Sequence, residues 1–315
     1  MIVQPTPENI LEAGDRLKSG GLVAFPTETV YGLGADATSD DAVARIFSVK
    51  KRPDFNPLII HVSDIESAMS LAQLSDSAKK IANAFWPGPI SIVAKKTADS
   101  PISLLASAGL NTVAIRVPAH EITQALLRAT ARPVAAPSAN LSGKISPTDA
   151  LHVQESLGAA AEFIIDAGRC AVGLESTVVD CTRDIPTVLR PGGVTMEQIE
   201  KIIGRIDLPN SRTVPLKSPG MLESHYSPNA MLRLNATSVF AGEALLAFGK
   251  DLPSNADLTR NLSPKANLEQ AAVNLFAMLR ELDVLATRIA VMPVPNEGLG
   301  RAINDRLRRA SAPQM

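Results

Sequence analysis

In residues 6–27, TPENILEAGDRLKSGGLVAFPT, a helix signal is followed directly by a strand signal. Thr6 is a good N-cap, because its hydroxyl can accept a free amide of the first turn, and Pro7 has no amide to leave unpaired. Apolar residues then recur at helical spacing over 10–17, and the glycines at 20–21 end the helix. The apolar run LVAF follows at once, so this stretch predicts a helix that leads into a strand.

The same alternation of helix and strand signals continues to residue 206. Predicted helices lie near 41–50, with Asp40 as the cap, near 64–73, 76–86 and 119–131, and from Ser146-Pro147 onward. Predicted strands are PLIIHV, ISIVAKK, TVAIRVP, PVAAP, EFIID, STVVD and TVLRPG, which begin at residues 57, 90, 112, 133, 162, 176 and 187. Mixed strands and helices of this kind indicate an α/β domain.

A second domain is predicted after residues 207–228, DLPNSRTVPLKSPGMLESHYSP, which contain four prolines and little apolar periodicity. This composition is typical of an extended linker. The pattern then restarts with strands MLRLN, ALLAFG and RIAVMPV, an amphipathic helix at 267–283 and a last helix after 298–300. We therefore expect a first domain at 1–206, a linker at 207–228 and a small three-layer α/β domain at 229–315.

Charge is balanced along the 315 residues, with 31 Lys and Arg against 32 Asp and Glu. The protein therefore has no net charge that would attract nucleic acid or anionic lipid in general. An aromatic content of 3% leaves few side chains on which nucleic-acid bases could stack. Cys170 and Cys181 form no CxxC pair, so neither a zinc site nor a redox motif is expected. Because the N-terminal residues lack an apolar signal-peptide core and no run approaches ~18 apolar residues, we expect a cytoplasmic protein.

Polar residues follow the ends of several predicted strands, which is where α/β sheets usually hold ligands. The segments are FPTETVYGLG at 25–34, KKRPDFNPLIIH at 50–61, TVAIRVP at 112–118, APSANLSG at 136–143, ESTVVD at 175–180 and VLRPG at 188–192. Each segment alone is also explained as a strand end with a polar turn. Neither a P-loop nor a Rossmann glycine fingerprint occurs, and nothing resembles a nucleophile triad.

Some of these segments place cations and a histidine beside apolar strands. Arg116 alternates with apolar residues, and a buried guanidinium requires an anionic partner or a ligand carboxylate. Lys50, Lys51 and Arg52 can be a solvated helix cap, but the prolines that follow hold them on a constrained loop suited to a polyphosphate. His61 alone is more simply a satisfied core histidine than a catalyst.

Seven motifs in order resemble the YrdC-like catalytic domain of the threonylcarbamoyl-AMP synthase family. They are FPTETVYGLG, KKRPDFNPLIIH, WPGPIS, TVAIRVP, APSANLSG, ESTVVD and VLRPG. The linker pattern from Pro219 to Pro228 and the ending GLGRAINDRLRRAS resemble the long form of the family. The resemblance implies a twisted mixed sheet in the first domain and a smaller, Rossmann-like three-layer C-terminal domain.

The resemblance also implies a nucleotidyltransferase. In this family L-threonine, bicarbonate or CO2, and ATP are joined into threonylcarbamoyl-AMP with release of pyrophosphate. The product would pass to the transferase that makes threonylcarbamoyladenosine next to the anticodon of tRNA.

Residue roles follow from the matching motifs of the family. The resemblance implies that L-threonine is bound by Thr29, His61, Arg116, Ala136 and Ser176. It implies that ATP is bound by Lys50, Arg52, Asn56, Thr112, Ser138, Asn140, Ser146, Arg190 and Tyr226, with Lys50 and Arg52 catalytic. Mg²⁺ would be carried by the ATP phosphates without a direct protein ligand, apart from a contribution by Asn140.

The linker would act as a lid in this family, with Tyr226 reaching over the nucleotide. One departure lies at Leu222-Glu223-Ser224, where many relatives have basic or aromatic residues, so a phosphate contact by a linker cation is not expected here. The C-terminal domain lacks a phosphate fingerprint and is interpreted as an anchor for the lid or as a surface for a partner.

Two other functions stay open at the level of sequence. One is an RNA-binding module, since YrdC-like folds are associated with RNA, although the even charge balance leaves only weak RNA binding to expect. The other is a carbamoyl transferase that matures hydrogenases, which would require zinc-finger cysteines and an acylphosphatase-like segment that the sequence lacks.

Overall fold

The computed structural model describes residues 1–53, 55–208, 225–254 and 256–312. The helices are α1 Pro7–Lys18, α2 Asp40–Lys50, α3 Ile65–Leu71, α4 Asp76–Phe85, α5 Glu121–Thr130, α6 Ala150–Leu157, α7 Met196–Ile203, α8 Leu268–Leu285 and α9 Gly300–Ala310. The strands are β1 Ile2–Val3, β2 Val23–Phe25, β3 Gly32–Asp36, β4 Ile59–His61, β5 Ala72–Gln73, β6 Ile90–Lys96, β7 Thr112–Arg116, β8 Val134–Ala135, β9 Ile164–Ile165, β10 Thr177–Asp180, β11 Thr187–Arg190, β12 Met231–Arg233, β13 Ala244–Ala247, β14 Thr259–Asn261 and β15 Arg288–Val291. Within these ranges, no helix is both long and apolar enough to cross a membrane.

The first domain is built on an eleven-stranded mixed sheet in the order β1-β9-β2-β3-β8-β4-β7-β6-β10-β11, with β5 beside β6. Strands β4 and β7 run parallel in its centre, and His61 is paired with Arg116 at their C-terminal ends. Paired residues of neighbouring strands project to the same face of a sheet, so the register brings these two side chains together. Strand β8 runs antiparallel on the other side of β4, which places Ala136 beside Ile59.

The second domain has a four-stranded parallel sheet in the order β12-β15-β13-β14. On one face, strand residues such as Leu246 and Ile289 form a single core with α8 and α9. On the other face, Leu245 and Ala290 pack with Ala236 from the connection between β12 and β13. In the described part of this domain, both helices therefore lie on one face and irregular chain covers the other, which differs from the expected three-layer arrangement.

The two domains share one hydrophobic core. Val30, Ile145 and Leu174 of the first domain belong to the same cluster as Phe276 of α8. Gly173 has a φ of +74°, and a Cβ there would lie 2.5 Å from the Cα of Val273 on α8. Only glycine permits this approach, so the chain of the first domain contacts the helix of the second backbone to backbone.

Local capping corrects two predicted helix starts. Ser39, not Asp40, caps α2, because its hydroxyl accepts the amide of Ala42. The helix expected from Ser146 begins after Asp149, whose carboxylate accepts the amide of His152. In both helices the side chain of the cap accepts the amide of the residue three positions later, the N3 amide.

Five of the helices and strands in the described chain were not predicted from the sequence. The glycine segment at 32–36 is β3, which pairs with β2 and β8, and α7 is an additional helix. The other three are the short strands β1, β5 and β14. Most of the predicted linker at 207–228 lies outside the described residues, which resume at His225. The predicted domain limits therefore stay a prediction.

Replacing Ser39→Ala should lower the free energy of unfolding by about 1 kcal/mol, because the Ala42 amide loses its acceptor. The neighbouring Asp41→Ala removes only an exposed first-turn charge and should cost roughly 0.3 kcal/mol. Urea unfolding of both variants measures the difference. Equal losses would show that the Ser39 hydroxyl does not cap α2.

Candidate active site

A small cavity of about 50 Å³ lies where the central strands of the first sheet end, and His225 and Tyr226 form part of its wall. Nine of the predicted site residues line it: Thr29, Arg52, His61, Arg116, Ala136, Ser138, Ser176, Arg190 and Tyr226. Ligand pockets usually measure roughly 300–1,000 Å³. A ligand of nucleotide size therefore requires movement of the wall in this structure.

Arg116 is 4% exposed and is held on three sides. Its Nη2 lies 2.7 Å from Oε1 of Glu28, its Nη1 donates to the Thr29 hydroxyl at 2.9 Å, and its Nε donates to the Gly88 carbonyl at 3.2 Å. A guanidinium carries five N–H groups, so these contacts leave N–H groups that can bind a carboxylate. The sequence indicated that Arg116 needs an anionic partner, and within the protein this partner is Glu28.

His61 is buried beside Arg116 and in edge contact with Phe25 at 6.2 Å between ring centroids. Burial, followed by the charge of Arg116, lowers the pKa of His61 to about 3. The imidazole is therefore neutral at physiological pH and can accept or donate a hydrogen bond, but it adds no positive charge to the cavity.

Arg52 and Arg190 form a cationic wall of the cavity. Arg52 Nη2 donates to the carbonyl of Pro57 at 3.2 Å, and Arg190 Nη2 donates to the carbonyl of Ser176 at 2.9 Å. Burial and the nearby charge of Arg190 lower the pKa of Arg52 to about 10, and burial also lowers the pKa of Arg190. Among the described residues, no carboxylate lies within ion-pair distance of Arg52, so this wall favours an anion.

Lys50 is fully buried but does not line the cavity. Its Nζ donates to the carbonyl of Ser138 at 2.6 Å and to the carbonyl of Asn140. Burial, followed by repulsion from Arg52, lowers the pKa of this amine well below its usual range. In this geometry Lys50 fixes the turn that carries Ser138.

The other four predicted residues lie outside the cavity wall: Asn56, Thr112, Asn140 and Ser146. The buried side-chain amide of Asn56 and the Oδ1 of Asn140 form no hydrogen bond with the described residues, so both are free for a ligand. Ser146 donates to Glu175 at 2.5 Å. Thr112 begins β7, four residues and thus about 13 Å before Arg116.

Tyr226 and His225 close the cavity from the segment that follows the predicted linker. Tyr226 is fully buried with a φ of +64°, and its ring stacks on Phe276 of α8 at 5.5 Å. Its hydroxyl has no hydrogen-bond partner in the described chain. The amide of His225 donates to the Arg309 carbonyl at 3.2 Å. Both residues are therefore placed by the second domain.

Four polar residues at or beside the cavity were assigned no role from the sequence: Thr27, Glu28, Glu175 and His225. All four lie in the motifs or the linker pattern, within two residues of a residue with a predicted role. Their closeness in sequence to residues with predicted roles could have identified them as site residues. Sequence spacing does not show which carboxylate pairs with which cation.

Two family profiles match the chain. The family described as Telomere recombination matches residues 15–192, and the family described as Threonylcarbamoyl-AMP synthase, C-terminal domain, matches residues 194–312. A protein of Pyrococcus abyssi named Threonylcarbamoyl-AMP synthase is 42% identical over 318 aligned residues, covering 94% of this chain and 92% of the relative. The Bacillus subtilis protein of the same name is 40% identical over 96% of this chain and 92% of its own.

Solved structures are similar over both domains. The crystal structure of P. abyssi Sua5 complexed with L-threonine has a TM-score of 0.91 at 39% identity and covers 99% of this chain and 97% of that chain. A variant of the same protein, with a histidine and a tyrosine changed to alanine, has a TM-score of 0.90 at 39% identity over 99% of this chain and 96% of that chain.

We expect the protein to lose stability as the pH falls from 7 to 5. His61 and His225, each with a pKa of about 3, stay neutral when folded, whereas unfolded histidines take up a proton near a pKa of 6.5. Because the unfolded state binds more protons in this window, each histidine contributes a slope of up to about 1.4 kcal/mol per pH unit. Urea unfolding at several pH values measures the slope, and His61→Gln should make it shallower. An unchanged slope would mean that His61 titrates normally in the folded protein.

Proposed function

The chain belongs to the threonylcarbamoyl-AMP synthase family, in its two-domain form, and we propose that the cavity closed by His225 and Tyr226 is its active site. The family and the nucleotidyltransferase activity predicted from the motifs are confirmed. One observation supports the location: a single cavity is lined by Arg116, which pairs with Glu28, and by Arg52 and Arg190, whose charges are close enough to interact.

The part of the cavity at Arg116 suits L-threonine. The N–H groups of Arg116 that remain free of contacts within the protein would bind the carboxylate of L-threonine. The hydrogen bond from Arg116 to the Thr29 hydroxyl fixes the orientation of the guanidinium. His61, Ala136 and Ser176 line the same cavity and would contact the rest of the amino acid. Since His61 is neutral, it would act as a hydrogen-bonding group and not as a second cation.

The Arg52 and Arg190 wall suits the phosphates of ATP. Ser138 lines the cavity beside these arginines, and the buried Asn56 amide has no protein partner that would compete with a ligand. Lys50 would position the turn at Ser138 through its two carbonyl contacts. Ser146 and Thr112 would contribute to the nucleotide site from outside the cavity wall.

The proposed reaction needs positioning and charge stabilisation more than a nucleophilic side chain. The neutral threonine amine forms a C–N bond to the carbon of CO2 with loss of one proton, or to that of bicarbonate with loss of water, and gives a carbamate. A carbamate oxygen attacks the α-phosphorus of ATP, a new P–O bond forms, the bond to the bridging oxygen breaks, and pyrophosphate leaves with that electron pair. Arg52 and Arg190 would stabilise the charge that grows on the departing phosphates.

Magnesium would enter as a complex with ATP. Among the described residues, no group of three or more His, Cys, Asp or Glu side chains could hold a metal. The free Oδ1 of Asn140 is an oxygen donor of the type that Mg²⁺ accepts, so the residues present fit an ion carried mainly by phosphates. The ion would neutralise charge at the reacting phosphorus.

We further propose that Tyr226 acts as a lid over the nucleotide, with residues 207–228 as the segment that carries it. The small volume of the cavity supports this, because ATP fits only if part of the wall moves, and Tyr226 belongs to that wall. A closed wall would exclude water from an adenylate that hydrolyses readily. The product would then be consumed by the machinery that makes threonylcarbamoyladenosine on tRNA, in the cytoplasm.

Pyrophosphate release from MgATP and bicarbonate should require L-threonine, with little release with L-serine and none without an amino acid. Arg116→Met should raise the threonine KM and lower kcat/KM by roughly 100-fold, because it removes a buried charge-assisted contact. Arg52→Met should instead raise the ATP KM.

The matched control is Arg45→Met, which removes a half-exposed ion pair of the same domain and should leave both KM values unchanged. Release that is independent of threonine would exclude the proposed reaction. An Arg116→Met variant with an unchanged threonine KM would exclude the proposed orientation of the amino acid.

A further inference from the structure

We propose that Arg306, on α9 of the second domain, is a positioning residue for the nucleotide side of the active site. It acts through Glu175 and through the ends of β10 and β11, which carry Ser176 and Arg190. This inference deepens the proposed function and rests on it.

Arg306 crosses from the second domain into the wall of the first. It is 1% exposed, its Nε donates to Oε2 of Glu175 at 3.0 Å, and its Nη1 donates to the carbonyl of Pro191 at 2.7 Å. Glu175 directly precedes Ser176, and Pro191 directly follows Arg190. One guanidinium therefore holds the residues next to both cavity-lining side chains.

The two strand ends that Arg306 joins already face each other. Val178 of β10 is paired with Arg190 of β11, and Arg190 donates to the backbone of Ser176 across the pair. Arg306 adds a contact to Glu175, which lies just before β10, and a contact to Pro191, which directly follows β11. The position of the Arg190 guanidinium relative to Ser176 thus depends on a residue of the other domain.

Arg306 also helps to keep Glu175, which lines the cavity, in its ionised form. The two carboxylate oxygens of Glu175 are used separately: one by Arg306 and the other by Ser146, which donates at 2.5 Å. Burial by itself raises the pKa of Glu175, but the charges of Arg306 and Arg190 and the bond from Ser146 outweigh it and bring the pKa below its usual range. Without Arg306, an incompletely paired carboxylate would face the proposed phosphate wall.

The same guanidinium contacts the lid residue. Its carbon lies 5.3 Å from the centre of the Tyr226 ring, and Asp305 accepts from its Nη1 at 3.1 Å. Compared with well-packed apolar residues, a buried ion pair gives little net stability. The contacts of Arg306 are therefore better explained by the geometry and charge that they impose on the cavity than by stability alone.

The second domain offers a matched control. Arg301, also on α9, forms an ion pair with Glu197 of the first domain at 3.2 Å, but both side chains are about two-fifths exposed, at 40% and 44%. Arg301 and Arg306 thus leave the same helix and bridge the same two domains. The two differ in their partners: Glu175, the partner of Arg306, lines the cavity, and Glu197, the partner of Arg301, does not.

The experiment compares Arg306→Met, Arg306→Lys and Arg301→Met in the full-length protein. Arg306→Met should lower kcat/KM for ATP at least 10-fold, with a smaller change in the threonine KM. Arg306→Lys, which keeps the charge but not both contacts, should recover part of that loss. Arg301→Met should stay within 2-fold of the wild type, and thermal unfolding confirms that each variant is folded.

A second measurement does not depend on activity. Hydrogen exchange of residues 172–192 should be faster in Arg306→Met than in the wild type and unchanged in Arg301→Met. If the wild type shows no threonine-dependent pyrophosphate release, the proposed function fails, and the exchange result still decides whether Arg306 orders this segment. Equal exchange and equal kinetics in the two methionine variants would overturn the role of Arg306.

Discussion

Burying several cations around one small cavity is the constraint on which the rest of the structure depends. The buried cations are Lys50, Arg52, Arg116, Arg190 and Arg306. A desolvated cation is costly unless its hydrogen bonds and its charge are satisfied. Among the described residues, the protein satisfies them mainly with backbone carbonyls, and with the carboxylates of Glu28, Glu175 and Asp305. A cation held by carbonyls keeps its charge available to an anionic ligand.

The sheet makes this arrangement possible because strand ends present carbonyls and side chains at the same edge. The pairing of His61 with Arg116 comes directly from the parallel register of β4 and β7. Burial and then the charge of Arg116 keep His61 neutral, since both lower its pKa. The positive charge of the cavity lining is thus concentrated at Arg116 and at the arginine wall, and His61 is a neutral hydrogen-bonding group.

The second domain supports the wall of the cavity. Its helix α8 supports Tyr226 by stacking, the carbonyl of Arg309 accepts the amide of His225, and Arg306 meets Glu175. The close approach at Gly173 and the shared core make this a packed interface, not a flexible tether. A domain without a phosphate fingerprint of its own therefore holds part of the wall of a cavity that lies in another domain.

The sequence by itself determined the α/β class, the division into two domains, most helices and strands, the strand-end segments and, through seven motifs, the family. These depend on periodicity and on short local patterns. The tertiary structure decided which partner each cation takes, that Lys50 turns to carbonyls, that the glycine segment at 32–36 is a strand, and that Arg306 reaches Glu175. Several of those contacts join residues that are distant in sequence: Thr29 and Arg116 are 87 positions apart, and Glu175 and Arg306 are 131 positions apart. No local pattern encodes such a pairing, because it depends on strand register and on how two domains pack.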